Sequence, residues 1–192
     1  WQHKLTGETG WGRATAAPLR TGSGQAFVFG DQSGTVTCLA LDGSVVWTNG
    51  LGAGPIKTPP QNFAHNQSEA GLLIAAGSTL FCLDNDGHTR WRRDLGKEIL
   101  TRPEVLSLPG RDMILCGTSS GSLFSLSSSG EILWECPTTD LLNNSIAFLP
   151  RAHESPLILC AGLWGNLHAI DVQGHQVWTH LFRSKTRGTP LV

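Results

Sequence analysis

Four Gly-x-x-x-Trp segments, Gly43–Trp47, Gly87–Trp91, Gly130–Trp134 and Gly174–Trp178, recur along the chain with their tryptophans 44, 43 and 44 residues apart. An aliphatic residue stands eight positions before each Trp (Leu39, Leu83, Leu126, Ile170), and another three further back (Val36, Leu80, Leu123, Leu167). Self-similarity at a period in the forties marks a propeller, a solenoid or an array, and it restricts the fold more than any other feature of the sequence.

Between the tryptophans the same pattern of short strands and turns repeats. In the first unit Ala26–Phe29 and Val36–Leu39 flank Asp31-Gln32-Ser33-Gly34, a hairpin signal. Asp42-Gly43 supplies the positive φ that a tight hairpin needs, and Val45–Trp47 follows as a strand. A further strand, Arg13–Arg20, precedes these three. The second unit reads as Ile56–Phe63, Leu72–Ile74, Leu80–Leu83 and Thr89–Trp91, with its middle hairpin shortened to Ala75-Ala76-Gly77-Ser78. The third reads as Glu104–Leu108, Met113–Cys116, Leu123–Leu126 and Ile132–Trp134, and the fourth as Ser145–Leu149, Leu157–Cys160, Leu167–Ile170 and Gln176–Trp178. Proline falls twelve residues after three of the tryptophans (Pro59, Pro103, Pro190), with Ile146 in that place after Trp134. Proline is tolerated at a sheet edge, a bulge or a strand start, which suits an innermost strand at a free edge. No apolar period of 3.6 persists for ten residues, so helix is expected to be nearly absent.

Four short strands per unit of about 44 residues is the signature of a β-propeller blade. The expected fold class is all-β, with four complete four-stranded blades at roughly 8–50, 51–95, 96–138 and 139–182 and partial blades at 1–7 and 183–192. Leu39-Ala40-Leu41-Asp42-Gly43-Ser44-Val45-Val46-Trp47 and Ala169-Ile170-Asp171-Val172-Gln173-Gly174-His175-Gln176-Val177-Trp178 resemble the tryptophan-docking motif of the PQQ-like repeat family, Ala-x-Asp-x-x-x-Gly-x-x-x-Trp with small variations. Leu83–Gly87 and Leu126–Gly130 are looser copies. The resemblance implies that Trp47, Trp91, Trp134 and Trp178, with Gly43, Gly87, Gly130 and Gly174, weld neighbouring blades. It also implies a ring of seven or eight blades. Trp1–Leu5 and Arg187–Val192 read as single strands lacking the rest of their blades, so the expected partner is a protein or the remaining blades of a larger parent chain. Open blade edges invite such association.

Composition narrows the function. The formal net charge is −1 and no long Lys/Arg run occurs, which argues against a nucleic-acid footprint. No apolar stretch approaches the ~20 residues of a transmembrane helix, and no secretory h-region is present. The resemblance favours a periplasmic or secreted protein, and the residues leave a cytoplasmic one open. Of the five cysteines, Cys38 and Cys82 share one repeat position and Cys116 and Cys160 another, with Cys136 left over. Cysteine behaves as a small buried hydrophobe, so core packing is expected of the paired sets. No CxxC pair or Cys/His cluster has metal-ligand spacing.

No residue set qualifies as catalytic. There is no Gly-x-Ser-x-Gly elbow, and the Gly-rich hairpins lack the following helix of a phosphate loop. The resemblance brings in quinoprotein dehydrogenases, which use a Ca²⁺-binding Glu/Asn/Asp set, a catalytic Asp and often a vicinal disulfide. This chain has no adjacent cysteines, and Asp31, Asp42, Asp84, Asp86 and Asp171 fall in turns, where Asp is an ordinary hairpin residue. No cofactor is therefore expected, with PQQ and Ca²⁺ as the alternative.

Three features stand as binding candidates. Arg13, Lys57, Arg102, Asn143, Asn144 and Arg187 gather at or before the innermost strands, either lining a positively charged channel mouth or merely solvating strand ends. Trp164 occupies a turn that is Ser-rich in the first and third units, either as a contact anchor or folded back on its own blade. His65 and His153 sit in the two longest loops, where solvated histidines are the ordinary case. Two function classes follow. One is a non-catalytic interaction scaffold, and the other is an enzyme module holding a quinone or sugar in the axial funnel. The residues favour the scaffold, and the fold alone does not choose.

Overall fold

The computed structural model describes residues 17–21, 24–64, 70–138 and 140–182. Sixteen strands and no helix occur among them. They form four four-stranded antiparallel sheets, each taking its strands in chain order. The first holds β1 (Ala17–Thr21), β2 (Gly24–Gly30), β3 (Thr35–Ala40) and β4 (Val45–Gly50). The second holds β5 (Gln61–Ala64), β6 (Ala70–Ala76), β7 (Thr79–Leu83) and β8 (Thr89–Asp94). The third holds β9 (Glu104–Leu108), β10 (Arg111–Gly117), β11 (Ser122–Ser127) and β12 (Ile132–Pro137). The fourth holds β13 (Leu142–Arg151), β14 (Glu154–Gly162), β15 (Asn166–Ile170) and β16 (Gln176–Leu181). The chain divides into two compact units, residues 1–99 and 100–192, with two sheets in each.

Each sheet has its core on alternate positions, the period of two that a pleated strand imposes. In the first unit Ala26, Val28, Val36 and Cys38 of one sheet pack with Leu72, Ile74, Phe81 and Leu83 of the next. The opposite face of β6 and β7 is also buried, at Leu73, Ala75, Leu80 and Cys82. A sheet covered on both faces needs a nearly continuous apolar run, and Ala70–Ala76 is one. In the second unit Met113, Leu115 and Leu123 of the third sheet meet Ile146, Ile158, Cys160 and Ile170 of the fourth.

Most sequence-derived strands lengthen by a few residues without moving, and two differ. The first strand of the second sheet does not run from Ile56. It is confined to Gln61–Ala64. Pro55, Pro59 and Pro60 have no N–H to give a ladder, and the intervening backbone bonds elsewhere. The Ile56 N–H donates to the Asp31 carbonyl (3.0 Å) and the Pro55 carbonyl accepts from the Gly77 N–H (3.0 Å). Ile56 itself is buried as a plug in the core between the unit's two sheets. The second difference is β13, which begins at Leu142 and carries an irregular register between Leu142 and Ile146. Pro59 and Pro103 stand before the first strands of their sheets, and those strands are sheet edges. The shortened hairpin of the second sheet is a two-residue turn, Gly77-Ser78, with Gly77 at φ +56°. Trp1–Leu5, residues 13–16 of the first strand, His65, and Arg187–Val192 with Pro190 lie outside the described residues.

Candidate functional site

The aspartates in the repeat turns are turn builders. The Asp31 carboxylate accepts the Ser33 and Thr35 N–H groups, each at 2.9 Å. Asp84 does the same for Asp86 and His88, and Asp171 for Gln173 and His175. Asp42 accepts from the Ser44 hydroxyl (2.7 Å) and N–H (2.9 Å), and these bonds hold its pKa below the usual carboxylate value. Burial pushes Asp171 up, but the bonds from His175 and Gln173 outweigh it, and its pKa is lowered. Side chains engaged in this way define hairpins.

Two of the repeat tryptophans, Trp47 and Trp134, dock on the next sheet of their own unit. The Trp47 indole N–H donates to the Asn85 carbonyl at 3.0 Å. Its ring covers Gly87, where an added β-carbon would stand 2.6 Å from it. Asn49 completes the join by donating to the Gly87 carbonyl at 2.8 Å. Trp134 repeats the arrangement in the second unit, donating to the Val172 carbonyl (3.2 Å) and covering Gly174. Gly87 and Gly174 hold φ of +85° and +91°. Only glycine meets both demands, a left-handed φ and no β-carbon. Gly43 and Gly130, at φ +86° and +82°, close their own hairpins. Trp91 is half-buried, and Trp178 is exposed to 39%.

Within each unit the chain leaving a fourth strand bonds to the turn between a second and a third. The Leu51 N–H meets the Gly34 carbonyl, Leu95 meets Ser78, Thr138 meets Gly121, and Phe182 meets Gly165, at 2.7–2.9 Å. These connections, and the start of β13, carry the described polar residues of the innermost-strand set. Lys57 pairs with Glu98 at 2.6 Å, both side chains being exposed. Arg102 lies 3.9 Å from Glu104, a carboxyl that burial pushes up against the lowering field of Arg102. Asn143 is exposed, whereas Asn144 is buried and donates to the Ala161 carbonyl at 3.2 Å. The two described cations of the set thus each face a carboxylate, and Arg13 and Arg187 lie outside the described residues. His153 is exposed in the β13–β14 turn with φ +64°, a left-handed value rare outside glycine.

Trp164, at the tip of the β14–β15 turn, is 58% exposed. Its N–H donates to both oxygens of Asp140, at 3.0 and 2.9 Å, and the Asn166 N–H reaches Asp140 Oδ2 at 3.3 Å. Asp140 is only 3% exposed. Sequence reasoning missed it, and the reason is geometric. Asp31 accepts the N–H groups of the residues two and four places after it, within its own turn. In the fourth sheet that turn position is Gly162. An added β-carbon there would lie 2.2 Å from the Asp140 carboxyl carbon. Asp140 therefore does from 24 residues away what Asp31 does locally, and Thr118 does locally in the third sheet. His168 was also missed. It is buried, its Nδ1 bonded to Thr179 (3.1 Å) and Gln176 (3.2 Å). Its pKa is lowered by burial, against the raising influence of Gln176 and Asp140.

All five cysteines are free and buried. Among the described residues no group of three or more His, Cys, Asp or Glu side chains is placed to hold a metal ion.

A family model described as outer membrane protein assembly factor BamB matches residues 1–161. The structure superposes on BamB of Moraxella catarrhalis with a TM-score of 0.65 at 23% identity, covering 87% of this chain and 47% of that one. On BBS1N, solved in complex with ARL6DN, the TM-score is 0.70 at 15% identity, covering 94% and 60%. On the Pan2 WD40 domain of Neurospora crassa it is 0.62 at 14% identity, covering 88% and 49%. The chain thus spans between about half and three-fifths of the length of these structures. At such identities the likeness establishes the fold, which is a β-propeller. No curated protein matches the chain.

Proposed function

Since the chain belongs to the PQQ-like repeat family described as outer membrane protein assembly factor BamB, we propose that it is a non-catalytic β-propeller scaffold that binds a protein partner. On this reading it needs no PQQ or other cofactor, and the turn carrying Trp164 is its contact point. The observation that carries the reading is an aromatic side chain 58% exposed on a turn fixed by a buried carboxylate. The equivalent turns hold Ser33 and Ser120. A preorganised aromatic is the kind of residue that dominates protein interfaces, because it contributes area without losing much freedom on binding. The aspartates that an enzyme reading would recruit are already engaged in turns. Two structural relatives, an assembly factor and a propeller crystallised with a protein partner, lie in the same direction.

Photo-crosslinking tests the reading. With a photoreactive residue at position 164, cells expressing the chain should yield a discrete protein adduct, and the same residue at position 120 should not. Titration with PQQ and Ca²⁺ supplies the opposing result. Stoichiometric binding with dye-linked alcohol oxidation would overturn the scaffold.

A further inference from the structure

Among the described residues His168 is the one histidine that the fold buries, with 1% of its surface exposed. Aligned on the repeat Trp, its position holds Thr37, Phe81 and Phe124 in the other three sheets, all buried. A core site filled elsewhere by a hydroxyl or a phenyl ring carries a titratable group in the fourth sheet alone. The bonds around it define its charge. Nδ1 lies 3.2 Å from Gln176 Oε1 and 3.1 Å from the Thr179 hydroxyl. A carbonyl oxygen only accepts, so Nδ1 carries a proton. Nε2 is buried and meets no hydrogen-bond partner, so it is the bare nitrogen of a neutral ring.

Few titratable groups face this ring. Cys160 lies directly opposite on β14, and the third sheet meets the same face with Met113, Leu115, Leu123 and Cys136. Burial pushes both thiols up, so they stay neutral. Asp171, beyond the end of β15, is occupied by Gln173 and His175. Among the described residues Asp140 is the charged group that acts on the ring. That carboxylate also links it to the Trp164 turn. Asn166 stands two residues before His168, on the same face of β15. Its N–H and its side chain both donate to Asp140, at 3.3 and 3.4 Å, beside the Trp164 N–H. On the other side, Thr179 and Gln176 belong to β16, an edge strand whose one neighbour in the sheet is β15.

We propose that His168 makes the Trp164 turn acid-sensitive, holding the contact point firm at neutral pH and releasing it as the medium turns acid. Protonation puts an N–H on Nε2 where no acceptor stands, and a charge in a buried site, both of which are costly. The imidazolium is drawn to Asp140, and that carboxylate cannot grip it and keep the Trp164 and Asn166 N–H groups as before. A ring that leaves its place also drops the bonds to Thr179 and Gln176 that tie β16 to β15. An opened sheet takes up the proton at about pH 6.5, the ordinary histidine value, whereas the closed sheet resists it because burial holds the imidazole lower. Closure is therefore favoured above that pH and lost as pH falls from it toward the lower value of the closed sheet. Such regulation presupposes that Trp164 is the contact point. The measurement below reads the turn with no partner present, so a failed crosslink at position 164 and a failed acid response are distinct results.

The test is amide hydrogen exchange of the 192-residue chain, resolved by NMR between pH 7.5 and 5 and corrected for the intrinsic pH dependence of exchange. Protection at Trp164 and Asn166 should fall at least tenfold over that range, as a local opening does. Ser122, whose N–H is held by Thr118 in the third sheet, should change less than twofold. His168→Phe restores the residue of the second and third sheets and should reduce the response at Trp164 and Asn166 to less than twofold. If that variant melts far below the parent, His168→Asn replaces it, a neutral side chain that keeps a donor near Thr179. Three outcomes would overturn the proposal. They are unchanged protection at Trp164 and Asn166 down to pH 5, the same fall in the neutral variant, or an equal fall at Ser122 (general acid loosening).

Discussion

Gly87 and Trp47 illustrate how a repeat motif acts at the scale of single atoms. The indole occupies the space a β-carbon would need, and the glycine holds a φ of +85°. Gly87→Ala therefore adds a left-handed alanine, which costs more than about 1 kcal/mol, and drives the ring off the Asn85 carbonyl. Trp47→Ala should cost about 3 kcal/mol, the low end for a core Trp because the ring is half-buried. The two losses overlap, since removing the indole also removes the clash. In urea unfolding the double variant should be less destabilised than the two singles together by at least ~0.5 kcal/mol. Strict additivity would count against the docking contact. The spacing of glycine and tryptophan was legible because the repeat writes it four times. The carboxylate of Asp140 beneath Trp164 was not, because it acts on a turn 24 residues further along the chain.

At the scale of elements, hairpins were legible wherever the chemistry is local. Asp31 to Gly34 reads as a turn from its residues alone, and Gly77-Ser78 was visible as a deletion from the repeat. The apolar Ile56 misled for the opposite reason. It looks like the start of a strand, but prolines on both sides remove ladder donors and its backbone serves the neighbouring turns. The β14–β15 turn is the most instructive case, since its stabilising carboxylate comes from the preceding connection. Asp140→Ala leaves the Trp164 and Asn166 N–H groups without their acceptor, a loss of roughly 2 kcal/mol for bonds to a charged group. Amide exchange at both residues should accelerate. Adding Gly162→Asp to that variant puts a carboxylate where Asp31 stands in the first sheet. Stability and slow exchange should then return. Gly162→Asp alone should destabilise, because its side chain would overlap Asp140. A double variant no better than Asp140→Ala would sink this account of the turn.

Across the whole molecule, the period near 44 carried the fold class, because each sheet needs the same alternation of apolar residues to be covered by its neighbour. It carried the cysteines as well, and these give a test that reads the entire core at once. Cys38, Cys82, Cys116, Cys136 and Cys160 are spread over all four sheets, and every one is buried. Burial raises each thiol's pKa, to about 11 at Cys38 and, with smaller opposing influences from Arg90 and Asp84, at Cys82. At Cys160 it reaches about 12, with a small further rise from Cys136. The reactive species is the thiolate, so the folded chain should be inert to a thiol-specific disulfide reagent at pH 8 for as long as it stays folded. In denaturant all five thiols should react at once. A reductant should leave the melting temperature unchanged, since no disulfide links the sheets. Fast reaction of one thiol in the native chain would mean that the sheet carrying it opens independently. The identity of that cysteine would say which sheet, and the assignment of these residues to packing rather than chemistry would fail there.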